Sequence, residues 1–320
     1  MLAAYRLSDA GLDRLAADAD PAGAGWIDLC QPTAEEVAAV RALGLEVPTL
    51  ADMEEIEISN RLYRAHGAEY MTVVLPGTGE EGMRVAGPVT FILSPARLVT
   101  VRHHAPRSFE TYPGRADTIA TGCGTPARVF LGLMEEIISR LADLMEGVGR
   151  ALDATSRRVF DEGATRRPRK LQALLTAVGR EGELLGRVRL ALLSLERALS
   201  HFQQTLTSEP EAATPLRTLA RGQLRDIQAL SVHADFLSGR VTLTIDSTLG
   251  MISLAQNDTV RIVSVVAALF LPPTLIASVY GMNFAAMPEL SQPWGYPLAL
   301  GLMLGSALAT YLYFRWRGWM

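Results

Sequence analysis

The stretch YGMNF, at Tyr280–Phe284, is followed by MPEL, at Met287–Leu290, and both lie between two long apolar runs. The first run extends from about Ile262 to Val279 and the second from about Trp294 to Phe314, and neither contains a charged residue. An uncharged helix of roughly 18–20 residues crosses the ~30 Å hydrocarbon core of a bilayer. The pattern therefore predicts two transmembrane helices, joined by a short loop that carries the Gly-Met-Asn triplet.

Composition divides the chain near residue 255. The 320 residues carry a formal net charge of −4, and the part before this point is rich in Arg, Asp, Glu and Ala. The part after it is almost uncharged, so we expect a large soluble domain with a C-terminal membrane anchor. The N-terminus lacks the pattern of a signal peptide. Cys30 and Cys123 are too few for a disulfide framework, and we expect them to be reduced thiols.

Positive charges predict the orientation in the membrane. Arg261 precedes the first apolar run, and Arg315 and Arg317 follow the second, whereas the loop between them carries only Glu289. Lys and Arg that flank transmembrane helices stay on the cytoplasmic side. We therefore expect a multi-pass protein of a bacterial inner membrane, with both termini in the cytoplasm and the Gly-Met-Asn loop outside.

The first 125 residues have the pattern of a cytoplasmic α/β sheet domain. Thr33–Glu36 has the form of a capping box that opens a short helix, a second helix is expected at Leu50–Ile56, and Ser94–Ala96 has the form of a hairpin turn. Runs rich in β-branched and aromatic residues predict strands at Ala4–Leu7, Trp26–Leu29, Tyr70–Leu75, Val89–Leu93 and Arg97–Val101.

Helices are predicted for the rest of the chain. A first helix is expected to begin at Pro126, and its apolar periodicity ends near Phe160. A second helix is expected from about Lys170 to Leu206. A third is expected from about Pro215 to Val279, roughly 95–100 Å long. The predicted divisions are cytoplasmic helices over 126–258, a first transmembrane helix over 259–279, an outer loop over 280–293, a second transmembrane helix over 294–314 and a tail over 315–320.

One face of the long helix is narrow and carries small or polar side chains. Since residues recur on one face in steps of three and four, this stripe comprises Asp246, Gly250, Ser253, Asn257, Val260, Ser264, Ala267, Leu271, Thr274 and Ser278. Such a face suits a pore, and identical helices around an axis would enclose one. In the alternative interpretation, Ser and Thr bond their own i−4 carbonyls, and small residues let helices pack.

The triplet, the MPEL segment, WGYP at Trp294–Pro297 and FRWR at Phe314–Arg317 resemble the CorA family of magnesium transporters. The resemblance is strong over residues 245–317 and weaker upstream, at Glu54–Arg64 and Arg97–Arg102. It implies an α+β membrane protein that forms a homopentameric funnel in the lipid bilayer. The expected chain has an N-terminal cytoplasmic α/β sheet domain, a long helical stalk and two C-terminal transmembrane helices, of which the first lines the pore.

The resemblance also implies roles for individual residues. Gly281, Met282 and Asn283 would form the selectivity filter, and Asp246 and Asn257 would form an acidic and a polar ring. Apolar constrictions would lie at Val260, Val263 and Leu271. Of the five pore positions below the filter, from Asp246 to Leu271, all except Val263 belong to the stripe. The implied contacts with metal are Asn283, Asp246 and Glu289.

This chain departs from the family pattern at three places. Ala285 and Ala286 stand where many relatives carry an acidic or bulkier residue, so Glu289 is the only anion of the loop. Val260 and Val263 are smaller than the Met and Leu often found there. A regulatory metal position falls near Gly222, which has no carboxylate, and Asp226 or Asp235 are the candidates to replace it.

The function that we expect is uptake of Mg²⁺, and also of Co²⁺, down the electrochemical gradient, gated by intracellular Mg²⁺. Because Mg²⁺ dehydrates reluctantly, a ring of Asn283 amides would hold the hydrated ion. The alternative is a Zn²⁺ transporter of a related branch, against which Met282 and the MPEL segment argue, and Ni²⁺ is a further possible ion. A second alternative is a non-transporting, membrane-anchored oligomeric sensor or scaffold.

Enzymatic and nucleic-acid functions are disfavoured. The sequence has no Gly-rich phosphate loop, zinc signature or nucleophile elbow. His103 and His104 would point to opposite faces of a strand and would not share a metal. His66, His201 and His233 are isolated in sequence, so solvated or capping roles are expected. The net charge of −4 disfavours contact with nucleic acid.

Overall fold

The computed structural model describes residues 1–16, 20–79, 82–160, 168–207, 214–282, 287–288 and 292–319. The chain divides into two compact units. The first unit comprises Met1–Thr155 and Thr176–Thr244, and the second comprises Ser156–Leu175 and Ile245–Met320.

The first unit contains one mixed sheet of seven strands, in the order β2-β1-β3-β7-β6-β5-β4. Strands β3 and β7 are parallel, with Ile27 opposite Val99, and every other neighbouring pair is antiparallel. The strands are β1 (Leu2–Ser8), β2 (Gly11–Arg14), β3 (Trp26–Cys30), β4 (Leu62–Ala65), β5 (Ala68–Thr78), β6 (Arg84–Leu93) and β7 (Leu98–Arg102).

All five strands that the sequence predicts are present, and two further strands are not predicted by it. Strands β2 and β4 are four residues each and lie at the two edges of the sheet. The predicted turn between β6 and β7 is confirmed, because the amide of Arg97 donates to Ser94 Oγ at 3.1 Å and the amide of Ser94 donates to the carbonyl of Arg97 at 3.0 Å.

Four short helices accompany the sheet: α1 (Ala34–Arg41), α2 (Leu50–Glu54), α3 (Ile58–Arg61) and α4 (Ser108–Thr111). The capping box that opens α1 is confirmed, since the amide of Thr33 donates to Glu36 Oε2 at 2.9 Å and the amide of Glu36 donates to Thr33 Oγ1 at 3.3 Å. Thr49 and Asp52 form a second box at the start of α2. These boxes satisfy backbone amides that a helix leaves unpaired at its N-terminus.

The sheet has an apolar core on each face. On one face, Ile92 and Val99 belong to a buried cluster with Val40 of α1 and Met53 of α2. On the other face, the ring of Phe91 meets that of Phe130 edge-on at 5.4 Å, and Phe130 lies 5.0 Å from the ring of Phe202. The sheet is therefore enclosed between short helices and the long helices that follow it in sequence.

Three long helices follow: α5 (Pro126–Val159), α6 (Pro168–Thr207) and α7 (Thr214–Tyr280). Their ends agree closely with the predicted ones. Helix α7 has 67 residues and continues through Val241–Ile245, which alternates like a strand in isolation. In the first unit this helix packs through the buried side chains of Ile227 and Leu237.

The second unit contains the C-terminal part of α7 and helix α8 (Gly295–Trp316). Helices α7 and α8 are both long and apolar enough to cross a membrane. Only 6% of the apolar window of each is buried. Val265 of α7 and Ala299 of α8 are among the few buried residues of these windows. The chain therefore covers little of its own apolar surface in this unit, as expected for helices whose surroundings are lipid and other subunits.

Candidate functional site

The stripe on α7 is exposed along its whole length from Asp246 to Ser278. The two valines at positions 260 and 263 are 63% and 64% exposed, and Leu271 is 71% exposed. The other members are also exposed: Asp246, Gly250, Ser253, Asn257, Ser264, Ala267, Thr274 and Ser278. A single chain thus leaves this surface uncovered.

The buried residues of α7 in this unit lie on a different face. Val265 is 4% exposed, and Thr248 and Ala255 are also buried. At roughly 100° per residue, Val260 and Ala267 lie about 140–160° around the helix from Val265. The small and polar side chains of the stripe therefore do not serve packing within the chain. They are free to face either an axis or a neighbouring subunit.

Thr274 forms the bond expected if the hydroxyls of the stripe pair with the helix backbone. Its Oγ1 donates to the carbonyl of Phe270 at 2.7 Å, which is the i−4 bond that the alternative interpretation expects. A hydroxyl that donates in this way keeps its lone pairs as acceptors. Thr274 can therefore present an oxygen to water or to a hydrated cation while its own proton stays on the backbone.

The helix ends at the predicted filter. The amide of Gly281 donates to the carbonyl of Ala277 at 2.9 Å, and the amide of Met282 donates to the carbonyl of Val279 at 3.3 Å. A Cβ on Gly281 would lie 3.1 Å from the oxygen of Ala277, which is closer than most such contacts. Asn283 and Glu289 lie outside the described residues, and their roles stay predictions.

An ion pair lies on α7 next to the start of its apolar run. The Asp258 carboxylate lies 3.1 Å from the Arg261 guanidinium, one helical turn away. From the sequence, Arg261 is interpreted only as a topological signal, and Asp258 is not among the predicted site residues. The i, i+3 spacing of an acid and a base on one helix is the pattern from which this pair could have been found.

The two candidates for a regulatory metal site differ in their surroundings. Both aspartates are exposed, but the carboxylate of Asp235 lies 2.8 Å from the guanidinium of Arg189, and no ion pair of Asp226 with a described residue is found. Within the described residues of one chain, no group of three or more His, Cys, Asp or Glu side chains could hold a metal ion. The regulatory metal site stays a prediction.

Two histidines have specific structural partners. The expected solvated or capping role of His201 is wrong, because its Nε2 lies 3.0 Å from Glu69 Oε2 and both side chains are largely buried. His104 is buried, and its Nε2 donates to the carbonyl of Leu75 at 2.9 Å. Burial lowers the pKa of His104, and the Arg102 charge lowers it further, whereas the bond to Leu75 opposes the shift.

The neighbouring buried ion pair explains why this part of the sheet is polar. Arg102 Nη2 lies 2.9 Å from Asp28 Oδ2, and both side chains are about nine-tenths buried. Thr100 Oγ1 donates to Asp28 Oδ1 at 2.7 Å. Because the carboxylate and the guanidinium satisfy each other across the parallel pair β3–β7, this cluster serves to hold the sheet together.

Comparison with known proteins identifies the family and the fold of the chain. The model of the family described as CorA-like Mg²⁺ transporter protein matches residues 21–316. The magnesium transport protein CorA of Pasteurella multocida is 37% identical over 323 residues, and the alignment covers 100% of both chains. The solved structure of the CorA magnesium transporter from Methanocaldococcus jannaschii has a TM-score of 0.69 at 18% identity and covers 100% of this chain and 99% of that one.

A fourth match concerns the zinc alternative. The cytoplasmic domain of ZntB from Vibrio parahaemolyticus has a TM-score of 0.56 at 12% identity, and it covers 78% of this chain and 96% of that one. Similarity at this level of identity shows a shared fold only. Full-length matches at 32–37% identity, such as that to the protein of Pasteurella multocida, therefore distinguish between the two kinds of transporter.

Proposed function

The chain belongs to the family of CorA-like Mg²⁺ transporters, and on this premise we propose that it carries Mg²⁺ into the cell through a pore lined by helix α7. It is a membrane protein with two C-terminal transmembrane helices, α7 and α8, and it is a transporter, not an enzyme. The observation that carries the proposal is the exposed stripe of α7. This stripe faces away from the buried Val265, and its last member, Ser278, lies three residues before Gly281.

The pore is formed by a homopentamer. Two transmembrane helices cannot enclose a channel alone, and a closed ring of identical subunits brings the same residue of each α7 to one axis. The uncovered apolar surface of α7 and α8 supports this assembly, since only 6% of each apolar window is buried in the single chain. Helix α7 lines the axis, and α8 faces the lipid.

The ion enters at the Gly-Met-Asn loop. A neutral ring of Asn283 amides, with carbonyls of Gly281 and Met282, hydrogen-bonds the water shell of Mg²⁺ without removing it, because this ion dehydrates reluctantly. A neutral ring also binds weakly enough to release the ion inward. Glu289 is the anion of the same loop and raises the local concentration of cations.

The path then runs down the stripe of α7. Leu271 and the valines at 260 and 263 form apolar constrictions that close the pore by excluding water. Ser264 and Ala267 line the stretch between Val263 and Leu271. The hydroxyls of Thr274 and Ser278 line the path on the loop side of Leu271, and Ser253 and the amide of Asn257 line it on the cytoplasmic side of Val260. A ring of Asp246 carboxylates attracts the ion at the cytoplasmic end.

The orientation follows from the flanking charges. Arg261 lies just before the apolar run of α7, and Arg315 and Arg317 lie at the C-terminal end of α8, so these residues flank the apolar runs on the side away from the Gly-Met-Asn loop. Because basic flanks stay in the cytoplasm, the loop lies outside and the sheet domain inside. The membrane potential then drives a divalent cation inward.

Intracellular Mg²⁺ regulates the pore. It binds between subunits at carboxylates of the cytoplasmic helices, for which Asp226 and Asp235 are candidates. Because Asp235 contacts Arg189 in the single chain, metal binding at Asp235 competes with this ion pair. The exposed Asp226 has no such competing salt bridge among the described residues.

A flux assay tests this function and its alternatives. The full chain is reconstituted into liposomes that contain a fluorescent indicator, and Mg²⁺, Co²⁺, Ni²⁺ and Zn²⁺ are added outside at equal concentrations. We expect saturable entry of Mg²⁺ and Co²⁺ that falls when internal Mg²⁺ is raised. Entry of Zn²⁺ without Mg²⁺ would favour the zinc-transporting branch, and entry of no ion would favour the oligomeric scaffold.

A further inference from the structure

The first unit contains a cavity of about 220 Å³ between the sheet and the helices α5 and α6. Its apolar wall includes Leu75 of β5, Ile137 and Leu141 of α5, and Leu184 of α6. The first three of these side chains are almost fully buried, so the wall belongs to the hydrophobic core. We call this space the arginine cavity, because it is also lined by Arg107, Arg140 and Arg187.

The three arginines reach the cavity from three separate segments. Arg107 precedes α4, Arg140 belongs to α5 and Arg187 belongs to α6. None of the described residues that line the arginine cavity is acidic. The lining therefore carries three positive charges from three segments. Their mutual repulsion costs free energy unless an anion offsets it.

Two of these arginines form ion pairs with carboxylates that do not line the cavity. Arg140 has Asp143 at 3.8 Å, a long contact between two partly exposed groups. Arg187 contacts Glu183, whose side chain is 65% exposed. Arg107 forms no ion pair with any described residue. Since an exposed pair such as Arg140–Asp143 contributes little, at about 0–1 kcal/mol, the guanidinium of Arg140 can turn toward a ligand at low cost.

The backbone at the cavity wall satisfies its own hydrogen bonds. The amide of Thr78 donates to the carbonyl of Ala105 at 3.0 Å, and the amide of Ala105 donates back to Thr78 at 2.9 Å. These two residues therefore offer a ligand no unpaired amide. The arginine side chains are the charged hydrogen-bond donors of the cavity, and they determine which chemical group binds there.

The three guanidinium groups and the apolar wall together favour a small organic phosphate as the ligand. Three guanidinium groups offer more donors than the two oxygens of one carboxylate accept, whereas a phosphate monoester has three terminal oxygens and a charge of about −1.5 to −2. The aliphatic wall suits a short carbon body. Pockets for drug-sized ligands span roughly 300–1,000 Å³, so this smaller space restricts the body to a few carbon atoms or one ring.

We propose that the arginine cavity binds a small phosphate monoester, with the phosphate at Arg107, Arg140 and Arg187 and the carbon body against Leu75, Leu141 and Leu184. This site is separate from the conduction path, because all of its residues belong to the first unit and the α7 stripe belongs to the second. Binding at the site does not depend on the proposed ion selectivity.

Isothermal titration of the full chain in detergent tests this proposal with phenyl phosphate as the probe. Two control ligands represent its parts: phenol has the carbon ring without the phosphate, and inorganic phosphate has the phosphate without the ring. We expect saturable binding of phenyl phosphate, weaker binding of inorganic phosphate and none of phenol. The affinity for phenyl phosphate should fall as salt is added, since charge pairing supplies most of it.

Substitutions locate the site. Arg140→Gln should weaken phenyl phosphate binding by roughly tenfold or more, because one charge-assisted hydrogen bond is lost. Arg150→Gln is the matched control, since Arg150 lies on the same helix, pairs with Glu146 and does not line the cavity. Leu184→Trp should fill the space and reduce phenyl phosphate binding more than inorganic phosphate binding.

Three results would overturn the proposal. They are no saturable binding of phenyl phosphate at roughly 10 mM, equal affinities of the Arg140→Gln and Arg150→Gln variants, and phenol binding as tightly as phenyl phosphate. If Arg140→Gln does not fold, as judged by its thermal unfolding, then Arg107→Gln replaces it, because Arg107 is exposed. The same criteria then apply to that variant.

Discussion

Val265 and Ala267 are two residues apart on helix α7, yet Val265 is buried and Ala267 is exposed on a distant face. Ala267 belongs to the stripe that we assign to the pore. If this assignment is right, Ala267→Phe places one large ring per subunit at the axis and blocks conduction. We expect Mg²⁺ flux in liposomes to fall at least roughly tenfold, while the oligomer that elutes from a sizing column is unchanged.

Val266→Phe is the control for this substitution. Val266 is also exposed on α7, but it lies about 100° around the helix from Ala267. A similar ring added there should leave flux within about twofold of wild type, because it lies off the axis. The assignment of the stripe fails if both variants lose flux equally, or if Ala267→Phe conducts normally.

The buried pair Asp28–Arg102 should dominate the stability of the sheet domain. Arg102→Leu leaves the Asp28 carboxylate buried without its cation, which typically costs about 3–5 kcal/mol of folding free energy. The exposed pair Arg150–Glu146 provides the control, and Arg150→Gln should cost less than about 1 kcal/mol. Denaturant unfolding followed by tryptophan fluorescence measures both, because Trp26 lies in the same sheet. Equal midpoints for the two variants would contradict this account.

His104 should make the sheet domain less stable in mild acid. Its Nε2 donates to Leu75, and its Nδ1 is buried with no partner among the described residues, so the neutral form is the one that fits. Burial lowers the pKa of His104 in the folded state below its ordinary value of 6.5. The unfolded state therefore binds more protons below about pH 6.5, and stability falls with pH from there down to the folded pKa.

The measurement is the free energy of unfolding between about pH 7.5 and 5.5 for wild type and His104→Gln. The loss of stability should be smaller in the variant. His103 shifts in the same direction through burial, so His103→Gln is the control that separates the two histidines. A pH slope that is the same in wild type and His104→Gln would exclude His104 as its source.

The sequence predicts the long helices and the transmembrane helices better than the two edge strands of the sheet. Two uncharged runs of this length permit few structures other than membrane helices, and α7 is continuous because no proline interrupts it before Pro272. Strands β2 and β4 lack a clear sequence pattern, since GLDR and LYRA are short and partly polar. They form because β1 and β5 offer a free edge to pair with.

Contacts between distant residues could not be predicted from the sequence. The parallel pairing of β3 with β7 joins residues about seventy positions apart, and His201 meets Glu69 across 132 positions. No local pattern specifies such partners. The stripe could be predicted, because helical periodicity alone determines which side chains share a face. The role of Asn283 stays a prediction from family resemblance.

The Mg²⁺ flux of an Asn283→Ala variant tests the central claim most directly. The variant removes the amide that is proposed to hold the hydrated ion and leaves the rest of the loop unchanged. It is reconstituted in liposomes beside wild type, and a sizing column confirms that both form the same oligomer. We predict that Mg²⁺ entry is abolished in the variant. Entry at the wild-type rate would contradict the assignment of Asn283 as the selectivity residue.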